Sequence, residues 1–354
     1  MNWQGETQSD EIEDRTGQSS SNSGIDLSSI LNGLGDNTSS SVGGGSSMGG
    51  LPIPSGAFGG GIGGIVIMII LGLVLNGGLG GLFGGNSSSS TTIPTTQTQT
   101  TADENGTGDI LSQIFGDQSD QLSSTSTDDS ASNEKQLVAF TLNSLEKFWK
   151  QYFAENGISG YRDPALVLYS GSTMTPTGMA SSDMGPFYSP SDEKIYLDPS
   201  FATELKQNYQ AHGDFAMVYV IAHEFGHHIQ NLLGTEAQME KASQTMSQTQ
   251  YNKLSVRLEL QADYYAGMFA KWLGTQKNTA NGQVILEKDD LKDALTVAGN
   301  IGDDVLMQKS AGYVNPDNFT HGTASQRQAW LEAGYDYGDL DHGDTFHASD
   351  LNNP

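Results

Sequence analysis

The stretch Phe215–Leu233, FAMVYVIAHEFGHHIQNLL, decides the fold of this chain. Its apolar side chains recur at helical spacing around the motif His223-Glu224-Phe225-Gly226-His227. Two histidines four residues apart lie about 40° apart around a helix, so both imidazoles can reach one metal ion. Glu224 lies about 100° from His223, beside such a metal, where it could take a proton from water. An isolated H-E-x-x-H also occurs by chance, as two solvated histidines on a polar helix face.

A second segment, Arg257–Asp263, supplies acidic residues four positions apart on another predicted helix. A catalytic zinc takes three protein ligands and keeps one position for water. Glu259 could be the third ligand, and Asp263 could accept the spare N–H of a ligating histidine. The apolar residues around the pair argue against a solvated acidic face. The rival third ligands are Glu236, Glu240, Asp263 and His321.

The composition of the 354 residues narrows the classes of protein and of metal site. There are 16 Lys and Arg against 42 Asp and Glu, a net charge of −26, which excludes a nucleic-acid partner because phosphate recognition needs a basic surface. The chain has no Cys, so it can form neither a disulfide nor a thiolate zinc site. Histidines and carboxylates therefore have to hold any metal.

The first 134 residues differ sharply in composition from the rest, with one basic and 15 acidic residues among mostly Gly, Ser, Thr and Gln. Such a composition buries little apolar surface, so we expect a disordered acidic tail over residues 1–56 and a disordered Ser/Thr-rich linker over 86–134. Between them, residues 57–75 are 19 uninterrupted apolar or glycine residues. This is enough for a helix across the roughly 30 Å hydrocarbon layer, and the helix can extend to residue 83.

This segment predicts a single-pass protein of the cell membrane, with the lipid bilayer as a partner through residues 57–75. Gly60 and Gly64 form a GxxxG pattern through which two spans could pair as a homodimer, although glycines this dense make the match common. Few cations flank the span, so the positive-inside rule gives little orientation. The long linker favours the N-terminus inside and the large domain outside the cell.

Residues 135–338 predict one globular domain, followed by an acidic tail over residues 339–354. A helical period over 135–156 precedes strands at 165–170 and 194–198, which flank a Pro/Gly/Ser-rich stretch over 175–190. One small sheet followed by many helices makes the fold class α+β. The later helices are predicted over residues 213–233, 251–273, 289–300 and 323–333.

Eight short motifs stand together in the chain: Met1–Gly5, Ser9–Arg15, Gly185–Tyr188, Lys194–Asp198, His223–His228, Glu259–Gly267, Ile301–Asp304, and His321–Thr323 with Gln326-Arg327. In these motifs the chain resembles the bacterial putative neutral zinc metallopeptidases, single-span membrane proteins with a zincin-like domain. The resemblance covers the N-terminal tip and nearly all of residues 135–338. Its Glu-x-x-x-Asp arrangement also resembles the thermolysin-like zincins, which implies Glu259 as third ligand and Asp263 behind a ligating histidine.

The chain departs from this family at three positions. Members commonly carry Cys on either side of the Gly185–Tyr188 segment and after the Gln-Ala-Asp triplet, where this chain has Thr177, Ser189 and Tyr264. A covalent clamp on that loop is therefore absent, while the expected metal ligands are unaffected.

These features together predict a membrane-anchored, Zn²⁺-dependent metallopeptidase that hydrolyses peptide or protein substrates, with Glu224 as general base. His321 and Arg327 could stabilise the oxyanion and hold the substrate, or could be a loop histidine and a helix-surface arginine. Tyr188 and Tyr196 are expected at a sheet edge that binds an extended substrate. The alternative is a non-catalytic surface or scaffold protein stabilised by zinc.

Three further residues complete the sequence-based expectations. His228 stands one position off the metal-facing side of its helix, so it is predicted to pack or to form hydrogen bonds rather than to bind metal. Asp303 and Asp304 match the family resemblance without a physical role beyond capping or a second cation site.

Overall fold

The computed structural model describes residues 1–17, 125–211 and 213–354 of the chain. The predicted membrane span over residues 57–75, its extension to residue 83 and its GxxxG pattern lie outside these residues, as does the linker before Thr125. Among the helices of the described ranges, none is long and apolar enough to cross a membrane.

The strands form one four-stranded sheet and one separate hairpin. The sheet has the order β1-β2-β6-β5, in which β2 pairs in parallel with β1 and with β6, and β5 runs antiparallel to β6. Strands β3 and β4 form the hairpin. In the described residues the strands are β1 (Ile12–Asp14), β2 (Ala165–Leu168), β3 (Ser172–Thr175), β4 (Gly178–Ser181), β5 (Phe187–Ser189) and β6 (Lys194–Leu197).

The strands predicted at 165–170 and 194–198 are confirmed as β2 and β6. The Pro/Gly/Ser-rich stretch over 175–190, expected between strands, itself contains β4 and β5. Turn-forming residues of this stretch belong to the hairpin of β3 and β4. Phe187 and Tyr188 are buried and form part of strand β5. The loop interpretation of this stretch was therefore too coarse.

The described residues also form eight α-helices, which together with this small sheet confirm the α+β fold class. The five helices predicted from apolar periodicity are present, whereas α2, α4 and α7 were not individually predicted. The helices are α1 (Thr125–Glu155), α2 (Phe201–Asn208), α3 (Asp214–Leu233), α4 (Thr235–Thr245), α5 (Gln248–Leu273), α6 (Leu291–Asn300), α7 (Asp303–Ala311) and α8 (Ala324–Tyr337).

Local sequence explains where the three central helices begin and end. Helix α3 ends at Gly234, which adopts the left-handed conformation with φ +84°. Capping boxes start the other two, with Ser247 and Gln250 at α5 and Thr323 and Gln326 at α8. These ends fix the length of each helix that carries a candidate site residue.

Glycines allow α3, α5 and α8 to approach one another closely. A Cβ at Gly226, inside the HExxH motif, would lie 3.1 Å from Cα of Ala262 on α5. A Cβ at Gly267 would overlap the backbone carbonyl of Leu331 on α8, and one at Gly334 would overlap a carbonyl of α5. The close crossings bring side chains of α5 and α8 to the motif on α3.

Residues 1–17 are built into the domain, so the prediction of a disordered tail over 1–56 is wrong for this part. Trp3 is only 2% exposed, stacks on Phe140 of α1, and donates its indole N–H to Asp214 at 2.7 Å. Strand β1 pairs along β2 from Ile12 to Asp14. The average composition of residues 1–56 does not reveal that residues 1–17 are ordered, because one buried Trp and backbone pairing are enough to dock a short segment.

The domain also extends beyond both boundaries predicted for it. Helix α1 begins at Thr125, inside the segment predicted as linker up to residue 134. Residues 339–354, predicted as an acidic tail, pack on the domain: Thr345 is fully buried, and the carbonyl of Leu351 accepts the indole N–H of Trp330 at 2.9 Å. Acidic side chains here accept backbone N–H groups in turns, as Asp339 does from His342.

Candidate metal centre

Three buried side chains from α3 and α5 converge where these helices cross. Nε2 of His223 lies 3.1 Å from Oε2 of Glu259, and Nε2 of His227 lies 3.6 Å from Oε1 of the same carboxylate. One ligand atom from each residue falls within 4.8 Å of the other two. Two imidazoles and one carboxylate at this spacing could hold a metal ion, and they match the donor set of a catalytic zinc site.

The other nitrogen of each imidazole is held by a hydrogen-bond acceptor. Nδ1 of His223 lies 2.8 Å from Oδ1 of Asp263, and Nδ1 of His227 lies 2.8 Å from Oε1 of Gln230. Donation from both Nδ1 atoms leaves both Nε2 lone pairs facing Glu259. Nε2 of His227 is buried without a hydrogen-bond partner among the described residues, as a waiting metal ligand would be.

Asp263 is the centre of a buried ionic network behind His223. Tyr219 donates its hydroxyl to Oδ1 at 2.7 Å, and Arg327 of α8 donates from Nε to Oδ2 at 2.8 Å and from Nη2 to Oδ1 at 2.9 Å. Burial would raise the pKa of Asp263, but Arg327 and His223 hold it well below the usual value. Asp263 is therefore an anion that fixes the ring of His223.

Arg327 is bound to Asp263 behind His223 and also lines the cleft described below. Its buried guanidinium donates from Nε and Nη2 to Asp263 and from Nη2 to the hydroxyl of Tyr219, while Nη1 has no hydrogen bond among the described residues. Asp263 and Tyr219 occupy Nε and Nη2, so only Nη1 is left for a substrate carboxylate or backbone, and that role stays a prediction. Arg327 positions the network that orients His223.

Gln230 supports the second histidine, His227, and this role was not predicted from the sequence. It stands three residues after His227 on the same helix, and its amide donates to the carbonyl of Leu258 at 2.8 Å and to Oε1 of Gln261 at 3.1 Å. Donation to a carbonyl fixes which end of the Gln230 amide faces His227. The signal available in the sequence was this spacing of three residues, which places Gln230 and His227 on one helix face.

Glu224 lies beside the cluster as the HExxH spacing predicts. Its side chain is 1% exposed, and its Oε2 atom has no hydrogen-bond partner in the described part of the chain. Burial raises the pKa of Glu224 above the usual value, although His227, His223 and the backbone N–H of Tyr188 act in the opposite direction. A carboxylate of raised pKa can take a proton and later return it.

The electrostatics of the cluster favour a bound cation. Burial would raise the pKa of Glu259, but the nearby imidazoles of His227, His321 and His223 hold it well below the usual value. Burial would lower the pKa of His227, but Glu259 and Glu224 raise it to about 10. The positive charge of Arg327 neutralises the negative charge of Asp263. The negative charges of Glu224 and Glu259 are the ones that a metal ion bound in the cluster would offset.

A cleft opens beside His223 and Glu224, and His321 and Arg327 also line it. His321 is thus near the cluster, as predicted, though it does not belong to the group of three that could hold a metal. The remaining wall is largely apolar and aromatic. These wall residues are Pro186, Phe201, Tyr209, Tyr219, Val220, Ile301 and Leu306.

Asp303 and Asp304, which had no assigned role, hold the loop that carries His321. Oδ2 of Asp303 accepts the backbone N–H groups of Thr320, His321 and Gly322 at 2.6, 2.7 and 3.0 Å. Its Oδ1 lies 3.4 Å from Nδ1 of His321. Asp304 accepts the backbone N–H of Ala324 at 2.8 Å, at the start of α8. Asp303 therefore holds the backbone of this loop, while Nδ1 of the His321 ring lies 3.1 Å from Oγ1 of Thr320.

The two tyrosines predicted to bind substrate have buried structural positions. The hydroxyl of Tyr188 lies 3.0 Å from Nδ1 of His228, and Tyr196 stacks on Phe187 and donates to Asp192 at 2.6 Å. Strand β6 lies inside the sheet, whereas β5 is its edge. The substrate-edge prediction is therefore wrong for Tyr196 and for the side chain of Tyr188.

His228 has the packing position predicted for it. It is fully buried, accepts from Tyr188 at Nδ1, and donates from Nε2 to the carbonyl of Arg162 at 2.8 Å. Burial lowers the pKa of His228, which favours the neutral ring required by this pair of bonds.

The rival third ligands stand apart from the group that could hold a metal. Glu236, at the start of α4, is buried, and burial raises its pKa to about 7. Glu240 is exposed on the same helix. Asp263 is bound to the opposite nitrogen of His223 from the one that faces Glu259.

Comparison with known proteins identifies the family. The sequence profile described as "putative neutral zinc metallopeptidase" matches residues 1–346. The uncharacterized protein YpfJ of Escherichia coli K12 is 38% identical over 348 residues, which cover 98% of this chain and 99% of YpfJ. An uncharacterized protein of Mycobacterium tuberculosis is 41% identical over 218 residues, 60% of this chain and 71% of that protein. No solved structure matches. The chain therefore belongs to the putative neutral zinc metallopeptidase family.

Proposed function

We propose that this protein is a zinc metallopeptidase in which His223, His227 and Glu259 hold a catalytic Zn²⁺ and Glu224 is the general base. One observation carries the proposal: a buried group of three ligands has a carboxylate with an unpartnered oxygen beside it, and both adjoin a cleft. Three protein ligands leave one position for water. Zinc bound there would act as a Lewis acid that activates water and polarises the scissile carbonyl.

Residues of the chain would transfer the proton, stabilise the oxyanion and orient the metal ligands. Glu224 accepts the proton of the attacking water and passes it to the leaving amine, a transfer that its raised pKa favours. His321 lines the cleft next to Glu224 and can donate to the developing oxyanion, with Asp303 behind its ring. Asp263 and Gln230 hold the two imidazoles so that Nε2 of each faces Glu259.

The cleft indicates which peptides would be cut. Its apolar wall, including Val220 and Leu306, would accept a large apolar side chain next to the scissile bond. Strand β5 is an edge of the sheet, and α3, the helix that carries Glu224, packs against it. An extended substrate could therefore lie along β5 and reach the general base.

The alternative is a surface or scaffold protein in which zinc only stabilises the fold. A structural zinc site is closed by four protein ligands and needs neither an adjacent base nor a cleft. Glu224 and the cleft beside it thus favour catalysis.

The proposal is tested with the full-length chain, loaded with zinc and incubated with a broad peptide library whose products are read by mass spectrometry. Glu224→Gln keeps the size of the side chain and removes the base, and we expect stoichiometric zinc with a roughly 10²–10⁴-fold slower cleavage. Glu240→Gln, an exposed acid of a neighbouring helix, is the control and should cleave like the wild type. Zinc-loaded wild type that cuts no peptide would leave the scaffold alternative in place.

A further inference from the structure

We infer that residues 1–17 and the domain of residues 125–354 lie on the same side of the membrane with which residues 57–75 are predicted to interact. The single-pass arrangement expected from the sequence places these two parts on opposite sides. The inference concerns the attachment of the domain and does not depend on the proposed peptidase activity.

The first observation is that the N-terminal tip forms part of the core. Trp3 lies between α1, where it stacks on Phe140 with ring centroids 5.8 Å apart, and α3, where it donates to Asp214. The side chain of Asn278 donates to the carbonyls of Asn2 and Gln4 at 2.9 and 3.0 Å. These contacts link the N-terminal tip to residues that lie on the other side of the membrane in the single-pass arrangement.

The second observation is that β1 completes the sheet. Residues Ile12, Glu13 and Asp14 pair in parallel with Leu166, Val167 and Leu168 of β2. Without β1, the backbone groups of β2 on that edge would lose these partners. A short strand cannot pair with its neighbour through a bilayer, so the paired state requires both segments in one compartment.

The third observation is that the end of the N-terminal segment contacts α1 directly. Nζ of Lys135 on α1 donates to Oδ2 of Asp14 at 2.7 Å and to Oγ1 of Thr16 at 2.8 Å. Asp14, the last residue of β1, and Thr16 therefore lie against the helix with which the second described range begins. Two described ranges that are packed together in one compartment require the chain between them to cross the membrane an even number of times or not at all.

The absence of Cys from the chain permits a direct test in cells that express the full-length protein. Gln8→Cys and Asn353→Cys each introduce one thiol at an exposed position, and Ala266→Cys introduces a buried control that should react only after denaturation. Spheroplasts are treated with a membrane-impermeant maleimide before and after lysis. We expect Gln8→Cys and Asn353→Cys to react alike, both before lysis or both only after it. Reaction of one before lysis and of the other only after lysis would overturn the inference.

A second measurement reports on docking itself. Thr16→Cys combined with Lys135→Cys places two thiols at the contact between β1 and α1, where a short bis-maleimide should join them within one chain in the membrane fraction. Mass spectrometry of the digested protein identifies the joined peptides, and each single variant serves as control. If both thiols react fully with separate maleimides but never become joined, residues 1–17 are not docked in the cell and the inference fails.

Discussion

Replacement of Asp263 by Asn tests whether the ionic network behind His223 supports the metal centre. The carboxylate accepts from His223 and Tyr219 and twice from Arg327. An amide of the same size must turn its NH₂ toward one of these donors, and it leaves the buried charge of Arg327 without a counter-ion. Loss of one partner of a buried ion pair costs about 3–5 kcal/mol, and loss of the support behind a ligating histidine weakens metal binding about 10–100-fold.

The expected losses are separated by urea unfolding of the full-length chain in excess chelator and in excess zinc. In chelator the free energy of unfolding should fall by about 3–5 kcal/mol. In excess zinc the free energy of unfolding should fall by about 1.4–2.7 kcal/mol more than in chelator. Each tenfold decrease in zinc affinity lowers it by about 1.4 kcal/mol. Asp289→Asn, at an exposed acid, should change stability by less than about 0.5 kcal/mol. A loss below about 1 kcal/mol with unchanged zinc affinity would refute the reasoning.

Four other substitutions probe separate parts of the account. Trp3→Ala should lower the free energy of unfolding by about 3–5 kcal/mol, since the ring is buried between two helices, and a change under about 1 kcal/mol in urea would contradict the docked N-terminus. Gly226→Ala places a Cβ 3.1 Å from a backbone atom of α5, so it should cost about 1–3 kcal/mol and weaken zinc binding, while Gly17→Ala, with no neighbour within 4 Å, should do neither. Burial, with nearby acids, raises the pKa of half-buried Glu146 to about 7, so its contribution to stability is complete below about pH 4.5 and lost by about pH 7. Glu146→Gln should therefore gain about 1 kcal/mol over wild type at pH 8 and nothing at pH 4.5, measured by urea unfolding at both values. Leu306→Ala widens the cleft and should shift cleavage toward bulkier apolar side chains in the library, and an identical product pattern would remove this wall from substrate recognition.

The core of the candidate site could be predicted because it depends on local periodicity. Once the segment is a helix, the spacing of His223, Glu224 and His227 determines their arrangement. The apolar residues around them recur at helical spacing and so predict the helix. Glu259 was predicted from its own helix, and its place opposite His223 and His227 follows from the close crossing at Gly226.

Contacts between distant parts of the chain could not be predicted in the same way. The short β1 has little pattern of its own, and its partner β2 begins about 150 residues later, so composition favoured disorder. Tyr196 looked like a substrate residue because its strand was placed at an edge, and only the order of the strands shows that β5 has that position. The ion pair between Arg327 and Asp263 depends on the packing of α8 on α5, which local sequence patterns do not predict.

The zinc dissociation constant of four proteins tests the central claim most directly: wild type, Glu259→Gln, Glu236→Gln and Glu240→Gln. The account predicts one tightly bound zinc in the wild type and in the Glu236 and Glu240 variants. In Glu259→Gln the zinc should be lost or bound at least about 100-fold more weakly, because a neutral amide replaces the only carboxylate of the group. Unchanged affinity in Glu259→Gln, or loss of zinc in Glu236→Gln or Glu240→Gln alone, would contradict the assignment of His223, His227 and Glu259 as the metal ligands.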